Sequence, residues 1–367
     1  MRVLIAPDKF AGTLTAGQAA TAIATGWGRH APGDRLTTIP MADGGPGFVD
    51  ALHGALGGDL LAVTVTGPFG APSPATILRI GDTAYLESAQ ACGLHLDDRR
   101  DPEHASTTGV GQLIAAALDS GATTLVVGLG GSATNDAGAG LLSALGATAD
   151  GPLDQGAAGL AKVTRCDLRA AQRRLAGVDL VAATDVDSPL LGMFGATNVF
   201  GPQKGLADER KPAVDAILDG FVVATLGSEP SRRQPADAKG AGAAGGLGFG
   251  LFVLGGHREP GVDLVARTLG LPDAARRADL ALTGEGAYDF SSRAGKVVYG
   301  VAQAAATAIR PCVVLAGRVL IGGREMRTMG VESAYSMVDL VGEEAAMSDA
   351  AGSLEMLAER VARTWSH

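Results

Sequence analysis

The segment GLGGSATNDAGAG (residues 128–140) follows the apolar run 124–127 and is rich in glycine and small polar residues. A glycine-rich loop between a strand and a helix exposes backbone N–H groups, and the helix dipole adds partial positive charge. The segment therefore predicts a strand, an anion-binding loop and a helix. The same composition also fits a tight turn in which Ser132, Thr134 or Asn135 caps the next helix.

Similar strand-and-loop units recur along the chain. Apolar runs lead into Pro7-Asp8, PMADGGPG (residues 40–47), TGEGAYD (283–289) and Gly317. Helix-like patterns follow, and after the first run Thr15 and Gln18 have the spacing of a capping box. Strands that end in glycine-rich or acidic loops before a helix are typical of a parallel sheet with ligands at its carboxyl edge. The sequence therefore predicts an α/β fold with a Rossmann-like domain.

A second domain is predicted from segments of different texture. Residues 62–88 alternate between apolar and polar across turn signals, which favours antiparallel strands. The charged and glycine-rich segment 228–246 is typical of a mobile, lid-like connection. We assign residues 1–60, 106–149 and 262–367 to the Rossmann-like domain, and residues 61–105 and 150–261 to an inserted α+β domain.

Composition excludes several classes of function. The chain has 367 residues, which favours two domains, and its formal net charge of -9 argues against general affinity for nucleic acid or acidic membranes. The apolar stretch near the amino terminus is too short for a signal peptide, and no run of about 18 apolar residues predicts a membrane span. Cys92, Cys166 and Cys312 lack the spacing of a disulfide framework or a metal site. We expect a cytoplasmic monomer or homodimer.

Two common nucleotide motifs are incomplete. Gly128, Gly130 and Ala133 fit the dinucleotide pattern G-x-G-x-x-A, but no predicted strand delivers an acidic residue about 20 positions later. Near Lys296, Phe290 and Val297 replace the first glycine and the hydroxyl residue of a phosphate loop. A dinucleotide-dependent oxidoreductase is the alternative from a different class of enzyme, and absence of nicotinamide or flavin binding would exclude it.

Acidic and basic side chains accumulate in the predicted loops. The acidic residues are Asp8, Asp43, Asp185, Asp187, Glu285 and Asp289, and the basic residues are Lys9, Lys204 and Lys296. Phosphoryl transfer needs a carboxylate that holds Mg²⁺ and benefits from a second that orients or deprotonates the attacking hydroxyl, while lysines can meet the phosphate oxygens. An aspartate in a glycine-rich turn also commonly bonds its own backbone. The interpretation therefore depends on the whole set.

Several long segments carry a resemblance. They are IAPDKFAGTL (5–14), IPMADGGPGFVDAL (39–52), GLGGSATNDAGAGLLSALGA (128–147), TDVDSPLLGMFGATNVFGPQKG (184–205), GAGAAGGLGFG (240–250) and LTGEGAYDFSSRAGK (282–296). In order and spacing they resemble the bacterial type I glycerate kinase family, over nearly the whole chain. The resemblance implies two α/β domains with the active site in the cleft between them. It also implies transfer of the ATP γ-phosphoryl group to D-glycerate, giving 2-phosphoglycerate, with Mg²⁺ as cofactor.

Our hypothesis gives roles to the residues that match the family pattern. The catalytic set is Asp187, Asp185, Asp43 and Lys204, and the magnesium ligands are Asp187 and Glu285. The substrate-binding set is Asp8, Gly44, Gly45, Gly130, Gly131, Ser132, Asn135 and Asp136. The ATP-binding set is Gly284, Glu285, Gly286, Asp289 and Lys296.

The chain departs from the family pattern at loop positions where the family has charged or polar residues. The departures are Ala11, Pro46, Phe48, Ala287 and Ser291. Loss of a basic group from a carboxylate site weakens binding of a small acid, so a kinase of a different hydroxy acid is one alternative. A second is a glycerate kinase in which Lys9, Arg293 or Arg318 compensates. A third is a non-catalytic nucleotide-binding homologue, which we disfavour because the acidic residues are retained.

Overall fold

The computed structural model describes residues 1–10, 12–293 and 296–366. The chain forms two compact units. The first unit contains Met1–Asp43, Asp50–Gly57 and Gly261–His367, and the second contains Gly44–Val49 and Gly58–Pro260. The departure at Ala11 and the side chains of Ser291 and Arg293 lie outside the described part of the molecule. In the described ranges, no helix combines the length and the apolar character needed to cross a membrane.

The strands are short, as expected for an α/β protein. They are β1 (Arg2–Ile5), β2 (Arg35–Thr38), β3 (Asp59–Thr66), β4 (Pro72–Ile80), β5 (Thr83–Glu87), β6 (Thr124–Gly128), β7 (Thr148–Ala149), β8 (Cys166–Asp167), β9 (Asp179–Ala183), β10 (His257–Glu259), β11 (Leu280–Tyr288), β12 (Cys312–Val319) and β13 (Ser333–Ser336).

Helices connect most of these strands. They are α1 (Ala16–His30), α2 (Phe48–Leu56), α3 (Ala89–Cys92), α4 (Thr108–Asp119), α5 (Ala139–Ala144), α6 (Gly156–Leu160), α7 (Arg169–Arg174), α8 (Ala196–Phe200), α9 (Lys211–Leu226), α10 (Gln234–Asp237), α11 (Ala243–Phe252), α12 (Gly261–Thr268), α13 (Leu271–Arg277), α14 (Val297–Thr307), α15 (Gly323–Thr328), α16 (Met337–Val341), α17 (Glu343–Ser348) and α18 (Ala350–Trp365).

The first unit is built on a parallel sheet with the strand order β13-β12-β11-β1-β2. Its inner strands are buried on both faces, which is the pattern of a parallel sheet covered by helices on each side. Helices α1 and α18 contribute to the hydrophobic core that Val3, Ile5 and Leu282 form on one face. The predicted Rossmann-like domain is confirmed in this unit.

Helix α1 begins and packs as its sequence dictates. Thr15 Oγ1 accepts a hydrogen bond from Gln18 N, and Gln18 Oε1 accepts one from Thr15 N, which confirms the predicted capping box. Further along, a Cβ atom added to Gly26 would overlap the backbone of Glu355 in α18. A Cβ atom added to Gly28 would meet no atom within 4 Å. The two helices therefore cross at a point where α1 can carry no side chain.

The second unit contains a mixed sheet with the strand order β10-β9-β6-β5-β4-β3. Strands β3, β4 and β5 pair antiparallel, which confirms the pattern predicted for residues 62–88. Strands β5, β6, β9 and β10 pair parallel. The sheet is buried mainly against α4, α5, α9 and α11. An inserted unit of mixed α and β structure was the expectation from the sequence.

Residues 106–149 lie in the second unit, which differs from the predicted division. Strand β6 pairs with β5 through Val126 and Tyr85, and with β9 through Val126 and Val181. Its apolar run and glycine loop have the same local pattern as the strands of the first unit. Local pattern therefore predicted the element correctly but could not determine which sheet it joins.

The last part of the segment 228–246, for which we expected a mobile, lid-like connection, is buried in the second unit. Ala244, Gly245 and Gly246 all have positive φ angles of 52°, 72° and 90°, which form a left-handed turn inside α11. Ala137 N donates to Gly245 O at 3.0 Å, and Thr134 Oγ1 donates to Ala244 O at 3.3 Å. A Cβ on Gly245 would overlap Thr134 O. The turn is therefore buried against the glycine-rich loop of residues 128–140.

Candidate functional site

The carboxyl edge of the first unit's sheet gathers acidic residues from separate loops. Asp8 follows β1, Asp43 follows β2, and Glu285 lies in the carboxyl half of β11. Asp8 N donates to Gly284 O at 2.8 Å, and Met41 N donates to Pro7 O at 2.9 Å. These backbone bonds extend the parallel pairing beyond the strands and bring the carboxylates toward one another. The predicted convergence of these loops is observed within this unit.

Burial perturbs the titration of two of these carboxylates. Burial raises the pKa of Asp8 to about 6, opposed by Lys9 and supported by the nearby Asp43. Burial also raises the pKa of Glu285 to about 7, opposed by a hydrogen bond from Ser292 and by the charge of Lys296. Desolvation disfavours the charged form of a carboxyl group. A cation bound beside Asp8 and Glu285 would therefore stabilise their charged forms.

Glu285 has one buried carboxylate oxygen without a hydrogen-bond partner among the described residues. This oxygen is Oε1, whereas the Oε2 atom lies 4.0 Å from Lys296 Nζ. Buried polar atoms in folded proteins are almost always hydrogen-bonded, so an orphaned carboxylate oxygen indicates a missing partner. The negative charge of Asp289 also raises the pKa of Glu285, so Asp289 lies near this site.

The acidic edge fits Mg²⁺ that is shared with a phosphate group. In the described ranges, no three His, Cys, Asp or Glu residues are grouped as a complete metal site. Mg²⁺ usually keeps several waters and binds through one or two carboxylates together with substrate phosphates. Glu285, with its unpartnered oxygen, and the neighbouring Asp8 provide such an incomplete set.

The predicted ATP-binding glycines of β11 have packing roles. A Cβ on Gly284 would overlap Leu315 O in β12, so residue 284 must be glycine for the two strands to pair. Gly286 O occupies the space next to Gly317 in the same way. Ala287, where the family has arginine, is exposed. The contact with Leu315 explains the glycine at residue 284, and the position of Gly286 O explains the glycine at residue 317.

In the second unit, the glycines that we predicted to bind substrate lie at a close approach of two loops. A Cβ on Gly130 would lie 2.7 Å from Gly45 Cα, and one on Gly44 would lie 2.7 Å from Ala183 O. Gly131 has a φ of +66°, and a Cβ there would lie 2.9 Å from Pro46 Cγ. The loop of residues 44–47 therefore stacks on the loop of residues 128–131, and side chains on either would separate them.

The departures at Pro46 and Phe48 fit this packing. Pro46 contacts the glycine loop, and Phe48 is fully buried with its ring 6.2 Å from that of Tyr85 in an edge-on arrangement. Glu87 at the end of β5 supports the same turn, because its Oε2 accepts hydrogen bonds from Gly47 N and Val49 N. Sequence reasoning missed Glu87, which belongs to no motif.

Asp136 has a structural role instead of the predicted substrate contact. It is completely buried, and its carboxylate accepts hydrogen bonds from Thr107 N and Oγ1 and from Gly138 N and Gly140 N. These bonds tie the start of α4 to the start of α5. The neighbouring Asn135 donates Nδ2 to Thr197 Oγ1 at 3.0 Å, and its buried Oδ1 has no partner among the described residues.

Lys204 and Ser132 are brought together. Lys204 Nζ donates to Ser132 Oγ at 3.0 Å and to Thr134 O at 2.6 Å, from the short 3₁₀ segment Pro202–Lys204. Burial lowers the pKa of Lys204 to about 8, and the charges of Cys92 and Asp136 oppose this shift. The ammonium group thus binds two residues of the segment 128–140.

Asp185 and Asp187 follow β9, next to β6 in the sheet. Asp185 is half-buried, whereas Asp187 is exposed and pairs with Lys239 and Arg258. Neither cation belongs to a recognisable motif, so sequence reasoning missed them. Of the predicted catalytic set, Asp43 belongs to the first unit, while Asp185, Asp187 and Lys204 belong to the second.

Of the possible compensating basic residues, Arg318 has a side-chain partner. It forms an ion pair with Glu343 on the surface of the first unit. The bond between Lys9 and Asp8 is made by the backbone, because Lys9 N donates to Asp8 Oδ1 at 2.7 Å.

Comparisons with known proteins give a consistent result. Residues 3–366 match the model of the glycerate kinase family. A glycerate kinase of Bacillus subtilis (strain 168) is 38% identical, covering 99% of this chain and 97% of that protein. A glycerate 2-kinase of Escherichia coli (strain K12) is 36% identical, covering 93% of this chain and 92% of that protein. A crystal structure of a protein proposed to be glycerate kinase 2 of Salmonella typhimurium LT2 superposes with a TM-score of 0.80 at 35% identity, covering 99% of this chain and 98% of that chain.

Proposed function

Since this chain belongs to the glycerate kinase family and is a kinase, we propose that it transfers the γ-phosphoryl group of ATP to D-glycerate, giving 2-phosphoglycerate. The observation that carries the proposal is the acidic edge of the first unit, where the buried Oε1 of Glu285 has no partner among the described residues. Asp8 and Lys296 lie beside it. A carboxylate group with a nearby lysine suits a metal-bound phosphate.

The roles in the first unit follow from charge. Glu285, supported by Asp8, would hold Mg²⁺, which when bound neutralises phosphate charge and makes the phosphorus accessible to attack. Lys296 contributes a second positive charge toward the phosphate oxygens. Asp43 and Asp289 complete the acidic surroundings. The assignment of Asp187 as a further magnesium ligand stays a prediction.

The roles in the second unit concern the small acid. Gly130 and Gly131 offer backbone amides for a carboxylate or phosphate, and the buried charge of Lys204 adds positive potential at this loop. Asp185 or Asp187 is the candidate to orient the acceptor hydroxyl and to receive its proton. In-line transfer needs no covalent enzyme intermediate, because alignment and charge neutralisation supply the catalysis.

A direct assay tests this function. Purified protein is incubated with ATP, Mg²⁺ and a panel of hydroxy acids, ADP release is measured, and the phosphorylated product is identified. We expect release that depends on D-glycerate, with Glu285→Gln at least tenfold slower because a metal ligand loses its charge. Asp154→Asn, at an exposed position, serves as the matched control. No acceptor-dependent release from the wild type would contradict kinase activity.

A kinase of a different small hydroxy acid is the second candidate. Pro46 lies against the glycine loop, and Phe48 is buried where the resemblance leads us to expect threonine. These changes replace polar groups with apolar ones beside the proposed acid site. Higher kcat/KM with a more apolar hydroxy acid than with D-glycerate would favour this candidate.

A further inference from the structure

Asp187 is held between two cations at the carboxyl edge of the second unit's sheet. Its Oδ1 lies 2.8 Å from Arg258 Nη2, and its Oδ2 lies 3.0 Å from Lys239 Nζ. Both carboxylate oxygens are therefore engaged. A proton acceptor or metal ligand at this position would first have to exchange one of these partners.

Arg258 is fixed at more than one point. Its Nε donates to Thr184 O at 3.1 Å, so one guanidinium group binds both the backbone and the carboxylate of the acidic loop of residues 184–187. Gly240 makes room for this side chain, because a Cβ there would lie 2.8 Å from Arg258 Cδ. The Arg258 side chain is 20% exposed.

The loop around Asp187 is otherwise held by its own backbone. Thr184 N donates to Glu259 O at 2.9 Å, and Val186 N donates to Thr184 Oγ1 at 3.2 Å. These bonds fix the beginning of the loop. Arg258 then sets the direction of the Asp187 carboxylate, because it contacts the loop at both its beginning and its end.

Lys239 differs from Arg258 in its freedom. Its side chain is 73% exposed, and Asp187 at the other end of the pair is 59% exposed. An exposed ion pair contributes little to stability, so the ammonium can exchange Asp187 for another oxyanion at small cost. Arg258, with its additional bond to the backbone, cannot move in this way.

We propose that Lys239 binds an oxyanion of a substrate, and that Arg258 is the positioning residue that holds the Asp187 carboxylate in place during the reaction. The proposal rests on the proposed function, whose substrates are a carboxylate and a triphosphate. The protein has a net charge of -9, and this loop carries Asp185 and Asp187. An anionic substrate therefore needs a local cation to approach it.

Lys239→Met tests the oxyanion contact. We expect the KM of one substrate to rise about tenfold while kcat stays within about twofold, because a charged contact to a bound substrate is lost. A rise in the KM of the hydroxy acid identifies the carboxylate as the ligand, and a rise in the KM of ATP identifies a phosphate. Lys211→Met removes another lysine–aspartate ion pair, with Asp208, in which the lysine side chain is 19% exposed, and serves as the control away from Asp187. Unchanged KM values for both substrates would overturn the oxyanion contact.

Arg258→Lys tests the positioning role. The variant keeps the positive charge. A lysine ammonium group, however, cannot reproduce the planar geometry with which the guanidinium group binds both Thr184 O and the Asp187 carboxylate. We expect kcat per folded protein to fall about tenfold with both KM values nearly unchanged. Arg169→Lys, which alters an exposed pair with Asp167, is the control. A loss that disappears after correction for the folded fraction would show a merely structural role and overturn the inference.

The activity of the wild type shows whether a negative result contradicts this inference or the proposed kinase function. If the wild type is an active kinase and both variants keep its kcat and both of its KM values, the roles of Lys239 and Arg258 are rejected and the kinase assignment stays intact. If the wild type turns over no hydroxy acid, the kinase assignment fails, and calorimetry with sodium tripolyphosphate and with D-glycerate tests Lys239 directly. Weaker binding of either ligand by Lys239→Met than by Lys211→Met would support the contact, and equal binding of both ligands would reject it.

Discussion

Lys204 combines full burial with a positive charge. Its ammonium group donates to Ser132 and to the Thr134 carbonyl, and the nearby Asp136 and Cys92 do not pair with it directly. Burial of an ammonium group without a paired carboxylate disfavours the charged form. The charge therefore depends on pH in a range where most lysines stay protonated.

We expect affinity for the anionic substrate to depend on Lys204 above neutral pH. The pKa of Lys204 is lowered to about 8, so its charge is present below this value and lost as the pH rises through it. The KM of the hydroxy acid should be flat from pH 6.5 to 7.5 and should then rise up to about tenfold per pH unit. Steady-state kinetics of Lys204→Met should lack this rise. The same rise in the variant would assign it to another group.

Asp136 should matter for folding more than for chemistry. Asp136→Ala leaves buried donors of Thr107, Gly138 and Gly140 without their acceptor. We expect a loss of about 3 kcal/mol or more in the free energy of unfolding, measured by urea denaturation. Asp154→Ala, at an exposed position, should change it by less than about 0.5 kcal/mol. Equal stability of the two variants would contradict the structural role.

Residue types could be predicted from the sequence, but residue roles could not in every case. The acidic loops and Lys204 were identified because several carboxylates and lysines together follow predicted strands, although an aspartate in a single glycine-rich turn is common. Asp136 shares this signature, yet its carboxylate satisfies backbone donors of two helices. Arg258 has no signature, because its partners come from a neighbouring strand and loop. Both outcomes depend on tertiary contacts.

At the scale of single elements, α1 offers a comparison of two glycines on one helix. Gly26→Ala should lower the free energy of unfolding by about 1–3 kcal/mol, because its Cβ would overlap the backbone of Glu355. Gly28→Ala meets open space and should raise it by about 0.5–1 kcal/mol through helix propensity. Chemical denaturation of both variants measures the difference. Stabilisation by both substitutions would show that α1 and α18 are not in close contact.

The sequence predicted the type of an element where its hydrophobic periodicity was strong. It did not predict which strands pair with one another in a sheet. The run before Gly128 was correctly predicted to be a strand, and residues 62–88 to be antiparallel. Strand β6 nevertheless joins β5 and β9 instead of the sheet of the first unit. Its side chains are apolar on both faces, so any parallel sheet would bury them equally well.

At the scale of the whole molecule, ligand binding should raise the stability of the folded chain. We expect MgATP at about a hundred times its dissociation constant to add about 2.7 kcal/mol to the free energy of unfolding. NADH should add nothing, because the dinucleotide motif lacks its acidic residue. Thermal denaturation with each ligand measures this. Stabilisation by NADH and none by MgATP would revive the oxidoreductase alternative.

The left-handed turn at residues 244–246 sets a limit on how this enzyme can be diversified. A side chain at Gly245 would overlap Thr134 O, so random mutagenesis of this turn should yield mostly misfolded clones. Ala287 is exposed, and Pro46 is half-buried against Gly131, so both positions retain solvent-accessible surface. A library intended to change the preferred acid should therefore vary those two positions and leave the turn untouched.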